Sequence, residues 1–163
     1  ILGGQIKGSK PSLFLIYPEG NFIEATEDTP FFQIGEIKYG RPILVRAYRQ
    51  DLSMKDIFKL LIVSFDSTLK ANLTVGFPLD FQIYFTDTLK SGVEGRLNAN
   101  DPYFVEVSNA WSKGLEDLLL RLPGLTLSEE VKKQNYEMVV IVGLDKEGET
   151  NVTASNNLSL IHI

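Results

Sequence analysis

Residues Phe14–Ile43 read FLIYPEGNFIEATEDTPFFQIGEIKYGRPI. The run Ser12–Tyr17 that leads into this stretch is apolar at successive positions and bounded by Pro11 and Pro18. Such a short two-faced run predicts a strand covered on both sides. Pro18-Glu19-Gly20-Asn21 predicts a turn, because proline pre-sets one dihedral while glycine and asparagine tolerate positive φ. Phe22–Ala25 then returns as a second strand and closes a hairpin. Beyond the acidic loop Glu27-Asp28-Thr29-Pro30, the glycines Gly35 and Gly40 and the proline Pro42 shape an approach to a short helix or turn.

The elements on the carboxyl side are mostly helical. Ser53 with Asp56 three residues on is a capping signature. Met54, Ile57, Phe58, Leu61, Phe65 and Leu69 recur at helical spacing, so the pattern predicts an amphipathic helix over about Ser53–Lys70. Asn72–Pro78 ends it, and Asp80–Phe85 reads as a strand. Thr86–Asn100 reads as a polar linker. Asp101-Pro102 starts a second helix with Asp as cap and Pro at the first helical position. Its apolar stripe is Phe104, Val107, Trp111, Leu115, Leu118 and Leu119, stopped by Pro123-Gly124. Tyr136–Leu144 and Glu149–Thr153 flank Asp145-Lys146-Glu147-Gly148 as a predicted hairpin.

A chain of 163 residues can bury roughly 68–70% of its unfolded surface, enough for a core. With 44% hydrophobic and 23% charged residues, the composition is that of a globular protein. The net charge of -5 and dispersed Lys and Arg argue against a nucleic-acid partner, whose phosphates would be repelled. The absence of cysteine excludes disulfides and thiolate metal sites. No apolar run approaches the ~20 residues that a bilayer requires. The sequence-level expectation is a cytoplasmic protein with no membrane partner and no cofactor.

Catalytic signatures of the common kinds are missing: there is no GxSxG, HExxH, P-loop or GxGxxG. Glu19, Glu24, Glu27 and Asp28 read as a solvated loop rather than a metal site, since calcium loops need regularly spaced ligands. The three N-glycosylation matches, at Asn72, Asn151 and Asn157, read as chance. Asn72 and Thr74, between a helix end and a strand, fit satisfaction of helix-end carbonyls or turn amides. Support of an active site is the alternative role.

Both ends invite an expectation. Ile1-Leu2-Gly3-Gly4-Gln5-Ile6 reads as the inside of an apolar strand, as in the back part of a longer product. Leu158–Ile163 matches the translation of a sequencing-adapter end and is set apart from the fold. The single histidine, His162, falls in that tail and carries no catalytic expectation.

Three blocks in order, YPEGNFIEATEDTPFFQIGEIKYGRPIL, VSFDSTLKANLTVGFPLDFQIY and DPYFVEVSNAWSKGLEDLLLRLPGL, resemble Anbu, a family of bacterial proteasome-type peptidases related to proteasome β subunits. The resemblance spans residues 1–125; 126–157 reads as an extension of unassigned role and 158–163 as the tail. It implies an α+β fold, the four-layer αββα N-terminal nucleophile hydrolase fold, incomplete here because the N-terminal half is missing. It also implies a homo-oligomer acting on polypeptide or peptide substrate. In that family the mature chain begins with a threonine whose hydroxyl attacks the peptide carbonyl, tuned by a lysine and an aspartate. None of the three is assigned here.

Four residues are implied in supporting that site: Gly35, Glu36, Asn72 and Thr74. Proteasome subunits carry a serine after the glycine equivalent to Gly35, where this chain has Glu36. Their supporting aspartate and serine correspond to Asn72 and Val75, anchored on Pro78-Leu79-Asp80, with Thr74 one residue from the serine position. The expected function is the C-terminal part of a threonine peptidase, inactive by itself. The alternatives are a weakly active or non-catalytic structural subunit, and a small α/β ligand-binding module.

Overall fold

The computed structural model describes residues 1–126, and Ile1–Arg121 form one unit. The hairpin predicted at 136–153, the extension 126–157 and the tail 158–163 lie outside the described residues, apart from Thr126. Among the described residues the architecture is α+β, two small sheets and three helices. Strands β1 (Leu2–Gly4), β2 (Ser12–Ile16) and β3 (Phe22–Glu24) make an antiparallel sheet in that order. The turn between β2 and β3 closes as expected: Gly20 sits at φ 90 and donates its N–H to Tyr17 O at 3.0 Å. The edge-to-face pair Phe14–Phe22, with ring centroids 5.6 Å apart, fastens the two strands.

Strand β2 departs from the expected double cover. Its first four residues are only half-buried, Ile16 is exposed, and all of β3 is exposed. The two-faced apolar pattern is present, but the described helices do not cover it.

Helix α1 (Arg41–Ala47) starts with Pro42 in its first turn, a place where the missing N–H costs nothing. Helix α2 (Met54–Ala71) begins at the predicted cap. Asp56 N–H donates to Ser53 Oγ at 3.2 Å, and Ser53 Oγ donates to Asp56 Oδ2 at 2.6 Å. The cap stabilises the helix by about 1 kcal/mol. Helix α3 (Pro102–Arg121) is capped by Asp101, whose Oδ1 accepts from Tyr103 N–H at 3.0 Å.

Between α2 and α3 lies β4 (Leu79–Ile83), paired antiparallel with β5 (Val93–Leu97). The expected polar linker 86–100 therefore contains a strand. VEGRL has one glycine and only two apolar residues, so its propensity is weak. Two cross-strand contacts supply what propensity does not. Phe81 stands opposite Gly95 and its ring occupies the space that a Gly95 side chain would take. Asp80 stands opposite Arg96 and accepts from Nε at 2.6 Å and from Nη2 at 2.9 Å.

The core forms where the two long helices meet this ribbon. Ile62, Leu97 and Phe104 are buried, with Phe58, Leu69, Phe77, Leu79, Phe81 and Val107 packed against them. Edge-to-face pairs Phe58–Phe81 and Phe77–Phe104 have centroids 4.9 and 4.8 Å apart. In α3 only the first half of the predicted stripe is covered: Phe104 is buried, whereas Leu115, Leu118 and Leu119 are exposed. Helix α1 docks on α2 through Gly40, which is itself buried against Ser64 and Thr68.

Two outcomes are expected. Gly40→Ala drives a methyl group into Ser64 Oγ, the Ser64 carbonyl and Thr68 Oγ1. Overpacking of this kind costs about 1–3 kcal/mol, read as a lower urea midpoint at unchanged slope. The second concerns acid. The hydrogen bond from Arg96 holds the Asp80 carboxyl below its ordinary value. Its contribution is present above the unfolded carboxylate pKa and is lost as pH falls through the folded one. Arg96→Gln should flatten the fall in melting temperature below about pH 4, slightly, since both side chains are exposed.

Candidate functional site

Asn72 takes over where α2 ends. Its N–H donates to Thr68 O at 2.9 Å, and its extended backbone (φ -135, ψ 114) turns the chain out of the helix. Its side-chain Oδ1 accepts from Thr74 N–H at 2.8 Å and from Thr74 Oγ1 at 2.7 Å. This is an Asx turn closed twice. On the other side Nδ2 donates to Glu36 Oε2 at 3.0 Å. With two donors facing oxygen and a carboxylate facing nitrogen, the amide has one chemically consistent orientation.

Glu36 comes from the opposite direction. Gly35, at φ 74 with open space where a side chain would stand, supplies the left-handed backbone that turns the chain toward α2. Glu36 Oε1 accepts from Lys38 N–H at 2.8 Å, which fixes the carboxylate while its other oxygen reaches Asn72. The structure thus joins Glu36, Asn72 and Thr74 in one hydrogen-bonded chain, with Gly35 as its backbone pivot. Glu36 and Asn72 are half-buried; Gly35 and Thr74 are exposed.

The chain borders a cleft of about 360 Å³, whose walls include Ile1, Gln33, Gly35, Glu36, Phe65 and Val75. Chemically this edge offers acceptors. Thr74 spends its hydroxyl proton on Asn72, and Glu36, in the cleft wall, brings an anionic charge. Ile1, in the same wall, carries no side-chain hydroxyl. The geometry suits orientation of a group brought to it.

Two features escaped the sequence reading. Gln33 Oε1 is shut off from solvent without a hydrogen-bond partner among the described residues. Asp66 is buried in α2 and accepts from Lys70 Nζ at 3.0 Å and from Ser108 Oγ of α3 at 2.7 Å. Lys70 also donates to Ser108 Oγ at 3.0 Å and Ser112 Oγ at 3.1 Å. Both Asp66 oxygens are satisfied, so this is a clamp between helices. The Asp66–Lys70 spacing of four was its only sequence signal. Nothing in the sequence pointed to Gln33.

No helix among the described residues is long and apolar enough to cross a membrane. No protein-family model and no curated protein matches the sequence. Solved structures do match. An Anbu (Gly-1) mutant from Hyphomicrobium sp. strain MC1 is 54% identical with TM-score 0.74, over 77% of this chain and 54% of its own. Anbu (ancestral beta-subunit) from Yersinia bercovieri is 48% identical with TM-score 0.73, over 77% of this chain and 53% of its own. A helical assembly of the Anbu complex from Pseudomonas aeruginosa is 48% identical with TM-score 0.72, over 76% and 52%. The chain spans about half the length of the structures it matches.

The hydrogen-bonded chain makes a testable demand at Asn72. Asn72→Asp replaces the donor facing Glu36 with a second carboxylate, a loss of about 1–3 kcal/mol at neutral pH. Neither carboxyl of such a pair ionises freely beside the other, so the folded pair holds a proton to higher pH than the unfolded chain does. Stability should be nearest wild type at the acid end of a urea series from pH 3 to 8 and fall away as pH rises.

Proposed function

We propose, from the premise that this chain is Anbu-like, that its polypeptide is a threonine-type peptidase with the four-layer N-terminal nucleophile fold. On this reading it hydrolyses peptide bonds within a cytoplasmic homo-oligomer, without a cofactor, and Ile1–Leu125 is the C-terminal portion of the peptidase domain. The observation that carries the reading is 48–54% identity with Anbu structures over about three quarters of the chain. The hydroxyl nucleophile, its α-amine base and the lysine and aspartate partners would lie in residues preceding Ile1. An α-amine suits general-base work because its ordinary pKa is about 7.7–8.0.

Within this division the chain contributes scaffold and support. Glu36 lines the cleft and is held from behind by Asn72, which Thr74 fixes in turn. The second sheet of the four layers would rest on the apolar surface between α2 and the β4–β5 ribbon. That surface encloses about 300 Å³ among Met54, Ile57, Leu61, Phe65, Phe81 and Ile83, and Leu61 and Phe65 are 41% and 45% exposed. The homo-oligomer is supported by the helical assembly in which the Pseudomonas aeruginosa Anbu complex was solved. A polypeptide substrate, rather than nucleic acid, agrees with the net charge of -5.

One observation favours a second reading, a structural subunit with weak or no catalysis. The carboxylate of the network stands at Glu36, where proteasome subunits carry serine, and position 72 carries a neutral amide.

The expected outcomes separate the two. The 163 residues alone should turn over no peptide in a broad substrate panel, and any turnover overturns the division of labour proposed here. The gene upstream of Ile1 should encode a mature threonine with lysine and aspartate partners, and the full polypeptide should release peptide products. Absence of that threonine would leave the structural reading standing.

A further inference from the structure

We propose that Gln33 is a positioning residue: its side-chain oxygen accepts a main-chain N–H from a segment of the same polypeptide outside Ile1–Ile163, seated in the 360 Å³ cleft. The proposal rests on the reading of this chain as part of a longer peptidase. A buried amide oxygen is seldom left unpaired, because burial removes the water that satisfied it. Gln33 Oε1 is in that position among the described residues, and Gln33 forms part of the cleft wall.

The lining of the cleft narrows what the donor can be. A bridging water needs two to four polar partners, and most of this wall is apolar: Phe31, Phe32, Ile34, Leu61, Phe65 and Val75. The other polar side chains of the wall are engaged: Thr68 Oγ1 donates to Ser64 O at 2.9 Å, both Glu36 oxygens accept hydrogen bonds, and Ser64 Oγ lies against Gly40. An extended segment fits better, since apolar side chains fill such a cleft while its backbone carries N–H donors. A peptide substrate carries the same groups. It would leave Oε1 orphaned between turnovers, whereas a segment of the same polypeptide is a permanent partner. The length agrees, as the chain spans only 54% of the Hyphomicrobium Anbu mutant structure. Gln33 also lies two residues before Gly35, so a segment held there would bear on the Glu36–Asn72–Thr74 edge.

The test uses the full-length protein with Gln33→Met, which keeps length and removes the oxygen, and Gln33→Glu, which keeps an acceptor oxygen. Melting temperature, peptide turnover, and the Kd of a fluorescein-labelled decapeptide are read for each. Gln33→Met should leave a buried donor unpaired and lower the melting temperature by about 2–4 °C or more, and Gln33→Glu should restore most of the loss. An unchanged or raised melting temperature overturns the proposal; if Kd or KM then rises several-fold, the donor belongs to the substrate. Equal loss in both variants, including failure of both to fold, assigns Gln33 to packing and also overturns it. Lack of turnover by the wild-type full-length protein would refute the peptidase reading, while the melting-temperature comparison would still decide this one.

Discussion

A helix meets its neighbours with whichever faces they require, and α2, at 18 residues, is used on several of them. Phe58 and Ile62 face the ribbon and the core, and Ser64 and Thr68 leave room for Gly40 to bring α1 close. Asp66 holds α3 through Ser108, and Asn72, one residue past the end, reaches Glu36. Shifting α2 by a fraction of a turn would break all four relations together. Two of them are hydrogen bonds, whose geometry is tighter than apolar packing demands. The position of the candidate site is therefore set by where this helix stops.

What the sequence made legible follows from how local each signal is. Ser53 and Asp56 cap α2, and Asp101 and Pro102 start α3, because caps are written within four residues. The turn Pro18–Asn21 was readable for the same reason. Strand β5 was not, since its stability comes from Phe81 and Asp80 more than ten positions earlier. The Asp66–Ser108 and Asn72–Glu36 bonds span 42 and 36 residues, so no local pattern marks them. Glu36 entered as a candidate only through the resemblance, whereas Asn72 was marked by its place between a helix end and a strand; neither signal could foretell that their side chains would touch. Gln33 had no signal at all, because an unpaired oxygen is a property of packing.

The exposed apolar surface has a bearing on how such a chain behaves. Leu61, Phe65 and Met54 on α2 and Leu115, Leu118 and Leu119 on α3 stand in solvent as drawn by the described residues alone. Apolar patches of this kind associate with whatever apolar surface is at hand. The β1–β2–β3 sheet adds unpaired backbone at its two edges. The polar chain of Glu36, Asn72 and Thr74 meets the apolar cleft at Glu36, which forms part of its wall.

The ring of Phe81 lying over Gly95 has a consequence for alignment. Sliding the ribbon by two residues keeps every side chain on its face, so hydrophobic pattern alone does not forbid it. In one direction the slip sets Phe81 against Val93 and Asp80 against Glu94; in the other it sets Phe81 against Leu97 and leaves Gly95 under Ile83. One trades an attraction for a repulsion, and both lose the slot that only a glycine provides. A ribbon of two five-residue strands is too small to hold itself in water, yet it carries its own ruler. Any further strand that pairs with it inherits that phase.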